Sequence, residues 1–589
     1  MSANSGSAAA SALAPARAFI GVHDGHNASV AVVRAGKVEF ALQEERLTRI
    51  KNQGDAPRLA TRRALELVGS SETSVSLNGH YMNYQQWDRE TVLLDYEKSA
   101  TLASRLKQPL KNTFIDRAYQ RRKASERTAQ LETIGLGSSM SAIEHHRAHA
   151  SAAYYTAPWR ESSPSPTPSG KTLVLTCDGS GDRLSATASI GEGSNLTRIA
   201  EVSEHDSIGR LYSLVTRYMG MVPLEHEYKV MGLAPYASNS RGAAAVAQMF
   251  QDLFEFSTDG LSWKRKAGVP SMYAAYGFLG RLLAGQRFDH IAAGTQMFIE
   301  NMLARWVGNA ARATGLSQIA CSGGVFMNVK ANLSILELPE IEKAYVFPSC
   351  GDESNSIGAA CADAIAAGDP VFPLEGFYYG DEITDAEAQL ALEEAASAGC
   401  RLRFSLESNI ERATAEQLAQ HKIVARASGK MEFGARALGN RSILARADSP
   451  DVVRTINEAI KNRDFWMPFA PSVLAESADR YYSKPKPIAS PYMMFAFRSL
   501  PETRKAFPAG QHPFDFTARA HEVTAKHNPG YHCMLQEYES MTGSGIVLNT
   551  SFNLHGEPIV YRAKDCVDVF VRSGLQNMAL GNWWVEKLA

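Results

Sequence analysis

The chain has no Cys-x-x-Cys pair. Its seven cysteines are scattered singly, which excludes a zinc ribbon or a redox dithiol and suits a reducing cytoplasm. The odd count also argues against a complete disulfide framework. No run of eighteen apolar residues occurs, so no membrane-spanning helix is expected. Bulk charge is missing too. The net charge is -1, and no overall field draws the chain to nucleic acid or to an anionic membrane. A local basic pocket for a small anion remains compatible with that balance. The first stretch, "MSANSGSAAASALAPAR", has neither an early positive charge nor a continuous apolar segment, so residues 1–17 are read as a flexible tail rather than a signal peptide.

What is present is ordinary globular composition, 45% apolar and 21% charged, over 589 residues. That length exceeds one core and suggests roughly three or four domain-sized units. The first ordered text, "AFIGVHDGHNASVAVVRAGKVEFALQEE", reads as a three-stranded meander with a turn at Asp24-Gly25. The same grammar returns in "TLVLTCDGSGDRLSATASIGEGSNLTRIAEV", with Asp178-Gly179 in the equivalent place. Helical text follows each copy, "APRLATRRALELVG" and "SIGRLYSLVTRYMG". A duplication of this kind describes an actin-like α/β architecture with a ligand crevice at the strand ends; two unrelated α/β units sharing common strand–turn grammar are the alternative. A Pro/Ser-rich stretch at 161–171 reads as an exposed loop. The segment "DPVFPLEGFYYGDE" reads as a domain exit, which places a boundary near residue 375. After it the pattern restarts with helices at 384–398 and 450–461 and strands at 422–427 and 544–550.

Three constellations carry chemistry. In "IEHHRAHASAAYY", His145 and His149 are four apart and share one helix face, while His146 points elsewhere. Such a pair binds a metal, or it is a solvated helix face. Asp178 and Asp352 each sit where a buried strand meets a Gly-rich turn, as metal ligands or as caps. With the histidines they form a set that suits Fe(II), Mn(II) or Zn(II) better than Mg(II). In "CSGGVFMN" the Gly323-Gly324 turn between strand and helix lets a backbone approach a nucleotide, or serves tight turning alone. In the last third, Lys430, Arg436, Arg441, Lys461, Arg463 and Arg519 lie in Gly-rich and apolar text, as phosphate forks or surface salt bridges. Asn549, Ser551 and Asn553 in "IVLNTSFNLHGEPIV" offer short polar groups for nucleotide contacts, or a plain polar turn.

Nine segments in order, "HDGHNASVAVV", "QEERLTRIKN", "EHHRAHASAAYY", "CDGSGD", "YKVMGLAPY", "CSGGVFMNVKAN", "GARALGNRSIL", "MPFAPS" and "NTSFNLHGEPIV", resemble the O-carbamoyltransferases of the NodU/CmcH/TobZ type. The resemblance spans essentially the whole chain after residue 17. It implies an α/β chain with a duplicated actin-like (ASKHA) N-terminal domain, residues 18–374, followed by a YrdC-like α/β C-terminal domain, residues 375–589. It also implies metal ligands at His145, His149 and Asp352, with Asp178 direct or through water, and iron(II) as the ion. His26 matches the family's N-terminal histidine, a candidate base, and Lys51 a basic residue near the same crevice. Gly323, Gly324 and Asn328 match the adenylate-binding turn. Arg436, Lys461, Arg463 and Arg519 match the cations around ATP and carbamoyl phosphate. The chain departs from the family at Phe516, where the family has Gly, at Ala520-His521 for Pro-Gln, and at Asn27, often Asp.

The implied activity is formation of carbamoyl-adenylate from carbamoyl phosphate and Mg-ATP, then transfer of the carbamoyl group to a hydroxyl of a small molecule. Aminoglycosides, cephems, macrolides, nodulation sugars and toxins all fit, so antibiotic or natural-product tailoring is the expected setting. Nucleic acid and membrane are not expected partners; a homodimer is left open. The rivals are a threonylcarbamoyl-type tRNA modification enzyme and a non-catalytic ATP-switched scaffold. A HypF-type maturation factor would carry Cys-x-x-Cys motifs, which this chain lacks.

Overall fold

A computed structural model describes residues 16–79, 89–97, 114–137, 140–160 and 170–588. Residues 1–15 of the expected tail and residues 161–169 of the Pro/Ser-rich stretch lie outside the described residues.

Two five-stranded sheets share one topology. The first holds β1 (Ala18–His23), β2 (Ser29–Arg34), β3 (Lys37–Gln43), β4 (Thr73–Asn78) and β5 (Met140–Ile143) in the order 3-2-1-4-5. The second holds β6 (Thr172–Gly181), β7 (Leu184–Glu192), β8 (Asn195–Ser203), β9 (Gln318–Ser322) and β10 (Lys343–Val346) in the order 8-7-6-9-10. In each, an antiparallel meander continues into two parallel strands on the other side of its first strand. The duplication expected from the Asp-Gly repeats is therefore present in the strand order itself. β1 is buried along its whole length, as expected for a central strand covered on both faces.

Helices fill the crossovers: α1 (Arg58–Val68), α2 (Phe114–Glu132), α3 (His145–Tyr155), α4 (Ile208–Tyr218), α5 (Glu227–Leu233), α6 (Phe288–Thr314), α7 (Val329–Leu336) and α8 (Asn355–Ala366). α3 and α8 meet backbone to backbone. A Cβ at Gly358 of α8 would lie 2.0 Å from the Ala148 carbonyl oxygen of α3, and one at Gly21 of β1 would lie 1.9 Å from that of Ser356. Gly358, with the small residue Ala148 opposite it, lets α3 and α8 come so close, and Gly21 lets α8 lie directly on β1. The side chain of Glu144 caps α3 by accepting from the backbone N–H groups of His146 and Arg147.

Beyond residue 400 an eight-stranded sheet forms, with Arg441–Arg446 between Val424–Ala427 and Ile546–Ser551 near its middle. The helix expected at 450–461 is α-helical over Asp451–Ile456 and widens to a π turn over Asn457–Lys461. It ends at Asn462 in the left-handed region (φ 43°). Such a widened turn re-aims the side chains that follow it. This part of the chain is bonded closely to the first. Arg46 donates to the Gly434 carbonyl (2.7 Å), Arg49 to those of Ile559 (2.6 Å) and Pro558 (2.8 Å), and Asn332 to that of Met494 (2.7 Å).

Candidate active site

Four side chains from distant segments converge where the strands end. His145 and His149 stand on the first two turns of α3, Asp178 on the irregular end of β6, and Asp352 just before α8. One ligand atom from each lies within 4.8 Å of all the others. Nε2 of His145 is 3.1 Å from Asp178 Oδ2 and 3.5 Å from Asp352 Oδ1. Nε2 of His149 is 3.8 Å and 3.5 Å from the same two atoms. His146, as its spacing predicts, turns away and pairs with Thr176 Oγ1 at 2.8 Å.

The electrostatics follow from this crowding. Burial opposes charge on His145, but Asp352 and the hydrogen-bonded Asp178 outweigh it and push its pKa up to about 9. His149 is raised against the same burial by the same two carboxylates. Burial also opposes charge on Asp178, yet the two imidazoles hold it well below the ordinary carboxylate range. Asp352 Oδ1 is buried with no hydrogen-bond partner. Two imidazole nitrogens and two carboxylate oxygens aimed at one point are a donor set for a divalent first-row metal. The orphaned oxygen is the kind of atom such an ion satisfies.

The surrounding groups orient this set. His149 Nδ1 is 3.2 Å from Ser322 Oγ, and Asn355 Nδ2 lies 3.1 Å from its Nε2. Asp178 Oδ1 accepts the backbone N–H of Gly324 at 3.0 Å. Glu353, next to Asp352, is buried. Burial drives its carboxyl up to about 7, although it accepts a hydrogen bond from Ser349.

The structure places the remaining expected residues as follows. His26 is half-buried; burial lowers its pKa, opposed by Asp352, Glu225 and Glu45, which places it in the same crevice. Lys51 reaches Glu225 at 3.6 Å. The two turn glycines leave no room for a side chain. A Cβ at Gly323 (φ +102°) would meet the Cys177 carbonyl oxygen at 2.3 Å, and one at Gly324 would meet Asp178 Oδ1 at 2.7 Å. Asn328 caps α7 through Ala331 N–H (3.1 Å) and exchanges amide hydrogen bonds with Gln296.

Four of the expected cations form a second cluster. Lys461 is buried, and its Nζ donates to the Ser551 carbonyl and to Oγ of Ser551 (3.2 Å) and Oδ1 of Asn553 (2.8 Å). Burial, then Arg463 and Lys51, drives its pKa well down. Arg463 donates to Thr550 Oγ1 at 3.2 Å. Burial lowers Arg436 to about 10, with Arg463 adding to the effect. Arg519 is held down by burial and by Arg436. None of these four cations has a carboxylate ion-pair partner among the described residues, and Nε of both Arg436 and Arg519 is buried without a partner. Lys461 is buried and the three arginines are half-buried, and cations withdrawn from water without a partner are costly unless an anion joins them.

The two clusters meet across one turn. Gly324–Met327 follows Gly323; its first N–H holds Asp178, and its last carbonyl, that of Met327, accepts from Arg519 Nη2 at 3.1 Å.

Three expected residues do not join the cation cluster. Lys430 is exposed. Arg441 is fully buried and donates to the carbonyls of Tyr561 (3.0 Å), Ser428 (3.2 Å) and Asn440 (2.7 Å), so it staples backbone inside the unit. Asn549 ties the Ala437 carbonyl (3.0 Å) to Ser472 Oγ (2.9 Å). Phe516, which stands where the family has glycine, takes the left-handed conformation a glycine would favour (φ 55°). Sequence reasoning missed His23, Asn78, Ser322, Glu353 and Asn355. They are partners of partners, and no spacing along the chain marks them.

Comparison with known proteins bears on both clusters. Residues 18–361 match the family described as carbamoyltransferase N-terminus, and residues 415–587 match carbamoyltransferase C-terminus. An uncharacterized protein of Methanocaldococcus jannaschii is 29% identical over 97% of this chain and 100% of its own length. Nodulation protein NolNO of Sinorhizobium fredii is 28% identical over 95% of this chain and 79% of its own. Nodulation protein U of Rhizobium tropici is 30% identical over 59% of this chain and 61% of its own. Among solved structures, full-length HypF in a phosphate- and nucleotide-bound form aligns with 61% of this chain and 57% of its own at 13% identity and a TM-score of 0.32. With both family matches falling in chain order on the segments that build the two clusters, the chain belongs to the carbamoyltransferase family and is a carbamoyltransferase.

Proposed function

We propose that this carbamoyltransferase is an ATP- and carbamoyl phosphate-dependent O-carbamoyltransferase acting on a hydroxyl of a small-molecule natural product. In this reading residues 375–589 form a YrdC-like unit that makes carbamoyl-adenylate, and residues 18–374 form an actin-like unit that passes the carbamoyl group on. The observation that carries it is the group of one buried lysine and three half-buried arginines without acid partners among the described residues, joined to the His/Asp cluster through the turn at Gly324–Met327.

Water cleaves carbamoyl phosphate to carbamate and phosphate. A carbamate oxygen then attacks the α-phosphorus of ATP and displaces pyrophosphate. Arg436, Lys461, Arg463 and Arg519 hold the anionic oxygens and offset the charge that gathers on them. In the crevice the acceptor hydroxyl attacks the carbamoyl carbon and AMP leaves. His26, kept neutral by burial, takes the hydroxyl proton. His145, His149, Asp178 and Asp352 would hold a divalent metal, Fe(II) by the family resemblance, and when bound it supplies Lewis-acid stabilisation of charge on oxygen. Asp178 also fixes the turn through the Gly324 N–H, so the carboxylate that faces the imidazoles positions the loop against which Arg519 packs.

Lys461→Ala and Arg519→Ala are the test. Both should abolish AMP formation that depends on carbamoyl phosphate while leaving metal content per chain at the wild-type level. Unchanged AMP formation in both variants would overturn the assignment. Mass spectrometry of candidate acceptors, seeking a gain of one carbamoyl group, identifies the substrate.

A further inference from the structure

The loop between β10 and α8 that carries Asp352 also carries Ser349. Ser349 is buried, and its backbone lies in the left-handed region (φ 54°), where glycine sits freely and a side chain is strained. A residue held that way by its surroundings is a reason to ask what its side chain does. Its hydroxyl is engaged on both sides. It donates to Oε1 of Glu353, the neighbour of Asp352, and accepts the backbone N–H of Ala435 at 3.1 Å. Glu353 is tied down in turn, its carbonyl accepting from the hydroxyls of Ser29 (2.8 Å) and Ser356 (3.1 Å). The Cys350 carbonyl accepts the Gly323 N–H at 3.0 Å, which fixes the loop to the turn that holds Asp178.

What Ser349 grips is the loop of Arg436. Gly434 (φ 87°) faces it so closely that a Cβ there would lie 2.2 Å from Ser349 Oγ. Two bonds hold this loop just before the arginine: Arg46 donates to the Gly434 carbonyl at 2.7 Å, and the Ala435 N–H meets Ser349. After it, Glu432 Oε1 gathers the N–H groups of Leu438 (2.8 Å), Asn440 (3.2 Å) and Arg441 (3.0 Å). The Arg436 guanidinium has no ion-pair partner among the described residues, and its Nε is buried without a partner. Its place is therefore set by the backbone that carries it. The bond next to it in the chain comes from the loop of Asp352.

We propose that Ser349 is a positioning residue for the reaction: its hydroxyl, shared between Ala435 and Glu353, sets the Arg436 guanidinium in the cation cluster and ties that setting to the loop of Asp352. The proposal rests on the reading of the cation cluster as the site of ATP and carbamoyl phosphate.

The test is binding to the full-length chain, read by titration calorimetry with two probes. One is α,β-methylene-ATP; the other is phosphonoacetamide, a stable analogue of carbamoyl phosphate. Arg436→Ala identifies the probe that Arg436 holds, as the one whose affinity it lowers. Ser349→Gly removes the hydroxyl and suits the left-handed backbone. It should weaken that probe about 3- to 10-fold, the equivalent of one hydrogen bond. Added to Arg436→Ala it should weaken the probe no further, because it acts through that arginine. A generally loosened fold would weaken binding in both backgrounds alike. Ser349→Ala, which keeps the Cβ and loses the hydroxyl, decides the matter where Ser349→Gly does not fold. The proposal is overturned if Ser349→Gly, or Ser349→Ala in its place, binds as tightly as wild type. It is equally overturned if the loss is as large beside Arg436→Ala as without it. If the wild-type chain binds neither probe, or Arg436→Ala weakens neither, the reading of the cation cluster itself fails, and this proposal with it.

Discussion

Asp24 and Asp178 occupy the same place in two sheets of the same order, at the end of the first strand before a glycine, yet their surroundings are opposite. Asp24 is buried and closed off by the Arg127 fork, a paired charge inside the first half. Asp178 faces two imidazoles and the turn that leads to Arg519. A repeated fold thus supplies the same carboxylate twice, and what differs is which helix covers it. An arginine helix, α2, makes one a structural ion pair. A histidine helix, α3, makes the other part of the candidate active site.

The largest effect expected from breaking this comparison is on activity. Asp178→Ala should lower carbamoyl transfer about 1,000-fold, the equivalent of roughly 4 kcal/mol of lost transition-state stabilisation, measured by product formation at saturating substrate. Arg127→Met acts on stability instead. It leaves Asp24 buried and alone and should destabilise the chain by about 3–5 kcal/mol, read from denaturant unfolding; Asp24→Asn in the same chain should recover part of that loss. The third comparison is of pH dependence. His145 rises from an ordinary value of 6.5 to about 9 in the fold. Its pairing therefore stabilises chelator-treated protein fully below about pH 6.5 and is lost as the pH climbs through about 9. Stability of that protein should fall by a few kcal/mol over this window, and His145→Gln should flatten the slope. The smallest effect lies in the first turn. Asn27 has φ 62°, a region that asparagine and glycine tolerate and alanine does not. Asn27→Ala should cost about 1 kcal/mol in thermal unfolding, while Asn27→Gly should be close to neutral.

Much of this was legible in the chain. The Asp-Gly repeats mark both meanders because a strand that ends in a turn needs those residue types. His145 and His149 are readable because a helix puts fourth neighbours on one face. Asp178 and Asp352 are readable because acids at buried strand ends need a reason to be there. The remaining partners are set by tertiary contact. Asn78 touches rings 55 and 67 positions away, and Asn355 reaches across 206. The sequence also does not distinguish an arginine that faces phosphate from one that staples carbonyls: Arg436 and Arg441 sit five apart in the same glycine-rich text and have different surroundings. At Gly323 the Cys177 carbonyl lies where a side chain would begin, a backbone approach that no side-chain pattern announces.

Arg46 and Arg49 hand their guanidinium hydrogens to main-chain oxygens of Gly434, Pro558 and Ile559. Anyone who severs the polypeptide near residue 375 to study each portion alone would strand those groups at a raw face. Fragments made that way should be judged by whether they reassociate when mixed, not by what either does in isolation.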